Sequence, residues 1–271
     1  MLDRYGLLFD RLRAEGAGAF VPFTVLGDPD PATSLEIART LVTAGADALE
    51  LGLPFSDPVA DGPTIQAADV RALAAGTRLQ HAWALLHALR VEFPALPIGL
   101  LVYANLVERH GAAAFYATAA AAGVDSVLVA DVPTLEAAPY AAAALAAGVL
   151  PVLIATPSCS DATLREIAEL GRGYTYVVTR SGVTGADVSA PALDGALLER
   201  LAAVQAAPAL LGFGIAQPDH VRAALALGAA GAISGSAVVQ RIERHLDDPS
   251  TMLQALAAFV REMKAATRHS R

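Results

Sequence analysis

The sequence predicts an α/β fold in which eight strands, each followed by a helix, close into a parallel (β/α)8 (TIM) barrel. The expected single domain spans residues 1–271, with extra helices and two long loops. Three observations predict it. First, one phrase recurs, an alanine-rich helical run followed by a small residue, glycine and an apolar stretch: Ala44-Gly45-Ala46-Asp47, Ala122-Gly123-Val124-Asp125, Ala147-Gly148-Val149 and, with leucine leading, Leu227-Gly228-Ala229-Ala230. Glycine there ends a helix in the left-handed conformation, and the chain passes directly into a strand. Second, the strands that follow are apolar without polar alternation, as in a parallel sheet covered on both faces. Third, 271 residues that are 55% hydrophobic fit one large α/β barrel or two ordinary domains with a full core and exclude intrinsic disorder, and no linker or composition shift separates two halves.

In chain order the predicted strands are 19–26, 48–53, 98–103, 126–130, 150–155, 174–179, 209–213 and 231–234. Most intervals hold one helix. Two are oversized: one contains an extra segment, 62–75, before the expected helix at 79–92, and the other contains 180–191, rich in Gly, Ser, Thr and Asp. Insertions of this kind are functional loops as a rule. A doubly wound open sheet is the alternative arrangement of the same units, and the count of eight favours the barrel.

Composition narrows the function. The formal charge of −8 and a pI near 5.2 leave no basic stripe for a phosphate backbone, so nucleic acid is not expected as a partner. No run of about 18 uncharged apolar residues reads as a membrane span. One cysteine, Cys159, permits no intrachain disulfide, and the first 13 residues lack the apolar core of a signal peptide, so the expected location is the cytoplasm. The six histidines show no ligand-like spacing, and no metal is expected. Cys159 lies in Pro157-Ser158-Cys159-Ser160-Asp161, where a helix-opening Ser160 or Asp161 is the plain reading. Asp131, ending the fourth strand, reads as a cap, an ion-pair member or a partner contact.

In a barrel the reactive groups gather at the C-terminal ends of the strands. The second strand, Leu49-Glu50-Leu51-Gly52-Leu53, sets one carboxylate among apolar neighbours. Glu50 is either a partner for a basic residue at the barrel floor or an acid with a raised pKa. The following loop, Pro54-Phe55-Ser56-Asp57-Pro58-Val59-Ala60-Asp61-Gly62-Pro63-Thr64, is stiffened by three prolines and holds Asp61 near Glu50. Two such carboxylates can divide acid–base work, the one in an apolar wall moving a proton and the other staying ionised. The plain alternative is that Asp57 and Asp61 cap turns and the next helix.

On the far side, Arg180-Ser181-Gly182-Val183-Thr184-Gly185, Gly212-Phe213-Gly214 and Ser234-Gly235-Ser236-Ala237 follow three consecutive strands. Glycines admit an anion close to backbone N–H groups, and a helix N-terminus adds its dipole, which together suit a phosphate. Phe23, Tyr103 and Tyr176 fall on strands or strand ends, where they serve as core or as walls for a flat substrate. The residues alone therefore point to a phosphorylated, aromatic substrate handled by two carboxylates, without a metal.

These residues also carry a resemblance. Phe20-Val21-Pro22-Phe23 with Leu26-Gly27-Asp28-Pro29, Leu49-Glu50-Leu51-Gly52, Pro54-Phe55-Ser56-Asp57-Pro58, Ala60-Asp61-Gly62-Pro63-Thr64-Ile65-Gln66, Gly99-Leu100-Leu101-Val102-Tyr103-Ala104-Asn105, Asp131-Val132-Pro133, Arg180 to Gly185, Gly212 to Ile215 and Gly231 to Ser236 stand in one order. Over essentially its whole length the chain resembles the tryptophan synthase alpha subunit family. The resemblance implies retro-aldol cleavage of indole-3-glycerol phosphate to indole and glyceraldehyde 3-phosphate, a lyase reaction of tryptophan biosynthesis. It assigns Glu50 as acid–base, Asp61 as the carboxylate facing the indole nitrogen, and Tyr176 as a tyrosine adjoining Glu50. Phe23, Ile65, Leu101, Tyr103, Phe213 and Ile233 become substrate-pocket residues. Gly185, Gly214, Gly235 and Ser236 become the phosphate cradle, and Thr184 sits on a loop that closes toward Asp61.

The resemblance further implies no cofactor on this chain and a beta subunit partner, in an alpha2-beta2 assembly, that carries pyridoxal phosphate and receives the indole. The partner surface would include the loops near Asp57 and 180–191. The order Thr24-Val25 inverts the family's pattern after Phe23, which swaps the side chain facing the barrel interior, and Pro157 to Ser160 is also atypical. Three other functions compete: a stand-alone lyase, a non-catalytic activating subunit, and an unrelated phosphosugar isomerase on the same barrel.

Overall fold

The computed structural model describes residues 3–178 and 195–268. The elements run α1 (Arg4–Glu15), β1 (Ala19–Val25), α2 (Pro31–Thr43), β2 (Leu49–Gly52), α3 (Pro63–Ala74), α4 (Leu79–Glu92), β3 (Ile98–Val102), α5 (Ala104–Glu108), α6 (Ala112–Ala121), β4 (Ser126–Val129) and α7 (Ala138–Ala146). They continue with β5 (Leu150–Ala155), α8 (Asp161–Leu170), β6 (Thr175–Val177), α9 (Ala196–Ala203), β7 (Ala209–Leu211), α10 (Pro218–Ala226), β8 (Gly231–Ser234), α11 (Ser236–Glu243) and α12 (Pro249–Ala265). The strands form one closed parallel barrel in sequence order, with β8 pairing back onto β1. The doubly wound alternative is thereby excluded, because an open sheet has no such closing pair.

The helix stops foreseen at Gly45, Gly123, Gly148 and Gly228 all have positive φ. Asp47 and Asp125, which follow two of these stops, do equivalent work. Each donates its own N–H to a carbonyl of the preceding strand in the barrel, Phe20 O at 3.0 Å and Ile98 O at 2.8 Å. Each also accepts that same residue's N–H on Oδ2, at 2.9 and 2.8 Å. Both carboxylates are buried and answered by cations, Asp47 by Lys264 and Arg11, Asp125 by Arg4 and Arg90. The repeat seen in the sequence is a clamp for the N-terminal ends of the strands, the end that carries stability in this architecture.

Helix α1 closes that end, burying Tyr5, Leu8, Phe9 and Leu12 with the barrel-interior cluster that holds Phe23, Val25, Tyr174 and Tyr176. An outer cluster packs helices on the strands' other faces. The Thr24-Val25 inversion is visible here: Val25 belongs to the interior cluster, and the Thr24 hydroxyl is buried on the opposite face without a hydrogen-bond partner. Of the oversized intervals, 62–75 is almost wholly α3. The predicted seventh strand is shorter than 209–213, because Phe213 and Gly214 both take positive φ and turn the chain out of the ladder. No helix among the described residues is long and apolar enough to cross a membrane.

Removing Asp125 strips a buried N–H and two guanidinium groups of their partner at once. Asp125→Ala is expected to cost about 3 kcal/mol, read as a lowered urea midpoint.

Candidate active site

Glu50 sits on β2 with its carboxyl inside the barrel and only 1% exposed. No basic residue among the described residues meets it, and the floor ion pair is not formed by any of them. Its Oε1 accepts the Tyr174 hydroxyl at 2.5 Å, and Oε2 is buried without a partner among the described residues. Burial pushes the carboxyl up to about 7; the Tyr174 hydrogen bond opposes this and the charge of Asp61 adds to it. A carboxyl titrating near 7 has both protonation forms at hand, and its unpartnered oxygen is the face it can offer to a reactant.

The tyrosine hydrogen-bonded to Glu50 is Tyr174; Tyr176, which the resemblance gives as adjoining Glu50, feels the Glu50 charge without a hydrogen bond to it. The two lie on one face, two residues apart, at different depths. Tyr174, deeper in the barrel, packs its ring against Tyr5 at 5.4 Å between centroids. Tyr176 is level with Ile154 and Leu210, and its ring covers Gly212 so closely that a Cβ there would meet the phenol oxygen at 2.2 Å. Burial, with the charges of Glu50 and Asp61 adding, raises the Tyr176 pKa well above its usual value, so its hydroxyl stays protonated beside both carboxylates. Gly99, paired with Glu50 across β2 and β3, leaves the room in which the Tyr5, Tyr174 and Ser126 hydroxyls meet; a Cβ would fall 2.8 Å from Ser126 Oγ and 3.0 Å from the Tyr5 oxygen.

Asp61 lies on the β2–α3 loop, 7% exposed. It does not cap α3, whose N-cap is Gly62. Its Oδ2 accepts the Tyr103 hydroxyl at 2.6 Å, while the Tyr103 oxygen accepts the Ala60 N–H at 3.1 Å. Burial raises the Asp61 pKa and the Tyr103 bond holds it down. Tyr103 is itself fixed by stacking on Phe55, 5.2 Å between centroids. Gln66 Nε2 donates to the Asp61 carbonyl at 2.8 Å. Asp57 is exposed and accepts the Ser56 hydroxyl. Asp131 accepts the Ala104 N–H at 2.8 Å and so caps α5, and Ser160 caps α8 through the Thr163 N–H.

Phe23 spans the interior between two glycines: a Cβ on Gly52 would lie 2.9 Å from its ring, and one on Gly235 3.3 Å. Ile65 and Ile233 are buried in the same cluster, and Leu101 and Phe213 are partly exposed against it. Phe213 takes φ 66°, a left-handed conformation uncommon for an aromatic residue and of a kind that concentrates at functional turns. The Ser234 hydroxyl donates to Ile215 O at 2.5 Å, tying the end of β8 to the loop after β7. Gly214 and Gly235 thus stand side by side, and α11 starts at Ser236 with no side chain capping its first turn. Its N–H groups and dipole suit an anion. Thr184 and Gly185, with the rest of 180–191, lie outside the described residues. Sequence reasoning missed Tyr174; its period-two relation to Tyr176 was the available signal.

Raised from 4.5 to about 7, Glu50 holds its proton more tightly folded than unfolded. Folding stability therefore falls as pH rises through that window. Glu50→Gln lacks this dependence and is expected to gain roughly 2–3 kcal/mol relative to the parent chain between about pH 5 and about pH 8, measured by urea unfolding at both values.

Comparison with known proteins agrees with this arrangement. The family model of the tryptophan synthase alpha chain matches residues 9–268. The tryptophan synthase alpha chain of Vibrio cholerae is 57% identical over 267 residues, covering 98% of this chain and all of the relative. That of Sodalis glossinidius is 56% identical over the same length, with the same coverage. Among solved structures, tryptophan synthase subunit alpha from Legionella pneumophila superposes with a TM-score of 0.89 at 29% identity, covering 98% of this chain and 99% of that one. A chain of the tryptophan synthase a2b2 complex from the hyperthermophile Pyrococcus furiosus superposes with a TM-score of 0.80 at 33% identity, covering 92% and 98%. With its eight-stranded barrel, its interior Glu50 and these relatives over nearly its whole length, the chain belongs to the tryptophan synthase alpha chain family.

Proposed function

We propose that the chain cleaves indole-3-glycerol phosphate to indole and glyceraldehyde 3-phosphate and works as the alpha subunit beside a tryptophan synthase beta subunit. The observation that carries this reading is Glu50: one oxygen is held by Tyr174, the other is free, and the pKa lies near neutrality inside an apolar barrel. The bond to be broken joins the indole ring carbon to the hydroxyl-bearing carbon of the glycerol chain. Glu50 donates its proton to the ring carbon, the bond's electron pair moves onto the ring, and the hydroxyl proton leaves as that carbon becomes the aldehyde. Glu50 takes up this proton and returns to its starting state, so the cycle balances with no added oxidant, reductant or cofactor on this chain.

Protonating the ring places positive charge toward its nitrogen, and the Asp61 carboxylate, held by Tyr103, stabilises it there. Phe23, Ile65, Leu101, Tyr103, Phe213 and Ile233 wall the ring, and Tyr176 lies within reach of the charges of both carboxylates. Gly214, Gly235 and the start of α11 at Ser236 hold the phosphate; Gly185 and Thr184, to which the resemblance gives a share of this role, lie outside the described residues. Pyridoxal phosphate is a requirement of the beta subunit alone. The a2b2 assembly of the Pyrococcus furiosus relative supports an α2β2 arrangement, and the exposed β2–α3 loop around Ser56, Asp57 and Val59 suits a partner surface.

The test is indole release from indole-3-glycerol phosphate by the purified chain, alone and with a matching beta subunit. Release that rises with the partner is expected, and Glu50→Gln should lower turnover at least ~100-fold while the affinity for inorganic phosphate is kept. Fast release indifferent to the partner would make the chain a stand-alone lyase. Unchanged turnover in Glu50→Gln would remove Glu50 from the chemistry.

A further inference from the structure

A third buried carboxyl lies behind the pair. Asp69, in the second turn of α3, is 4% exposed, and its Oδ1 accepts the Phe55 N–H at 3.2 Å across the β2–α3 loop. Its Oδ2 is buried without a hydrogen-bond partner among the described residues. Among the described residues no cation answers it: Arg71, two residues on, is bound by Asp28 at 2.7 and 2.9 Å and reaches Glu243 at 3.3 Å. A buried carboxyl with one unpaired oxygen weakens a fold, so its place in this helix calls for a function.

The contacts made by Phe55 supply one. Its ring stacks on Tyr103, and Tyr103 donates to Asp61 and accepts from Ala60. Asp61 in turn leads through Gly62 into Pro63, the first residue of the helix that carries Asp69. The path Asp69, Phe55, Tyr103, Asp61 is a closed ring that fixes the loop from both ends.

We propose that Asp69 is a positioning residue: by holding the Phe55 N–H it sets the Tyr103 ring, and through it the place of the Asp61 carboxylate against the substrate. This rests on the reading of Asp61 given above. Burial first, then the charges of Asp61 and Asp28, push Asp69 up to about 8, the Phe55 bond opposing, so that near pH 7 it is a neutral acid that still accepts at Oδ1. Asparagine copies that form. Leucine fills the same space, removes the unpaired oxygen and offers no acceptor.

Asp69→Asn and Asp69→Leu, prepared in the full chain and assembled with the beta subunit, separate this role from a structural one. Asp69→Leu is expected to fold and to lose ~10–100-fold in kcat with KM changed less than about twofold, as a displaced catalytic group would produce. Asp69→Asn should keep kcat within about twofold. A second readout needs no turnover. Followed by carboxyl 13C NMR below pH 7, where Asp69 carries no charge, the Asp61 pKa should rise in Asp69→Leu, because the Tyr103 bond that lowers it is lost, and should stay unchanged in Asp69→Asn.

Wild-type kcat in Asp69→Leu, equal losses in both variants, or an Asp61 titration untouched by leucine would each overturn the proposal. A parent chain that releases no indole would instead sink the functional reading, leaving the Asp61 titration to decide the role of Asp69.

Discussion

The burial of one carboxyl inside the barrel is the constraint on which the site depends. Glu50 stands on a strand whose other residues are apolar, and a group so placed titrates near neutrality because water cannot reach its charge. The cost of that burial is limited by one hydroxyl. Tyr174 donates to Oε1, and it can do so because Gly99 leaves space where any side chain would strike the Ser126 and Tyr5 oxygens. Tyr5 comes from α1, the helix that seals the lower end of the barrel. The acid–base group is therefore held by residues from β2, β3, the position just before β6 and the N-terminal helix, far apart in the chain and brought together only by closure.

The two ends of the barrel divide the work between them. At the lower end Asp47 and Asp125 are buried and fully answered, each by a strand N–H and by basic side chains. At the upper end Glu50, Asp61 and Asp69 are buried with no cation in contact among the described residues, and burial raises the pKa of all three. Paired carboxylates hold the structure; unpaired ones are available for proton transfer and charge stabilisation. The stability given up at the upper end is carried by the clamps below, by the sealed floor and by the two outer core clusters.

Much of this was legible in the sequence. The glycine-stopped helices and unalternating apolar runs placed all eight strands within a few residues, because helix termination and two-sided burial are local signals. Glu50 and Asp61 stood out because a lone acid in an apolar strand and a proline-stiffened acidic loop are both unusual. Tyr174 did not stand out. Period two shows which way a strand residue points, whereas the depth of its ring is set by the tilt and stagger of the barrel, which no single strand encodes. Asp69 escaped for a related reason: on α3 it reads as one more polar helix residue until the loop folds back and presents the Phe55 N–H. The 180–191 segment, with Thr184 and Gly185, lies outside the described residues, so the phosphate cradle rests here on Gly214, Gly235 and the start of α11.

The claim tested most directly is that the barrel itself holds Glu50 ready to exchange a proton, before any substrate or partner arrives. Carboxyl 13C NMR of the isolated chain, with Glu50→Gln to identify the resonance, measures this. The account predicts a titration midpoint near 7. A midpoint near the ordinary glutamate value of about 4.3 would contradict it, and would mean that water or a cation reaches the carboxylate inside the barrel.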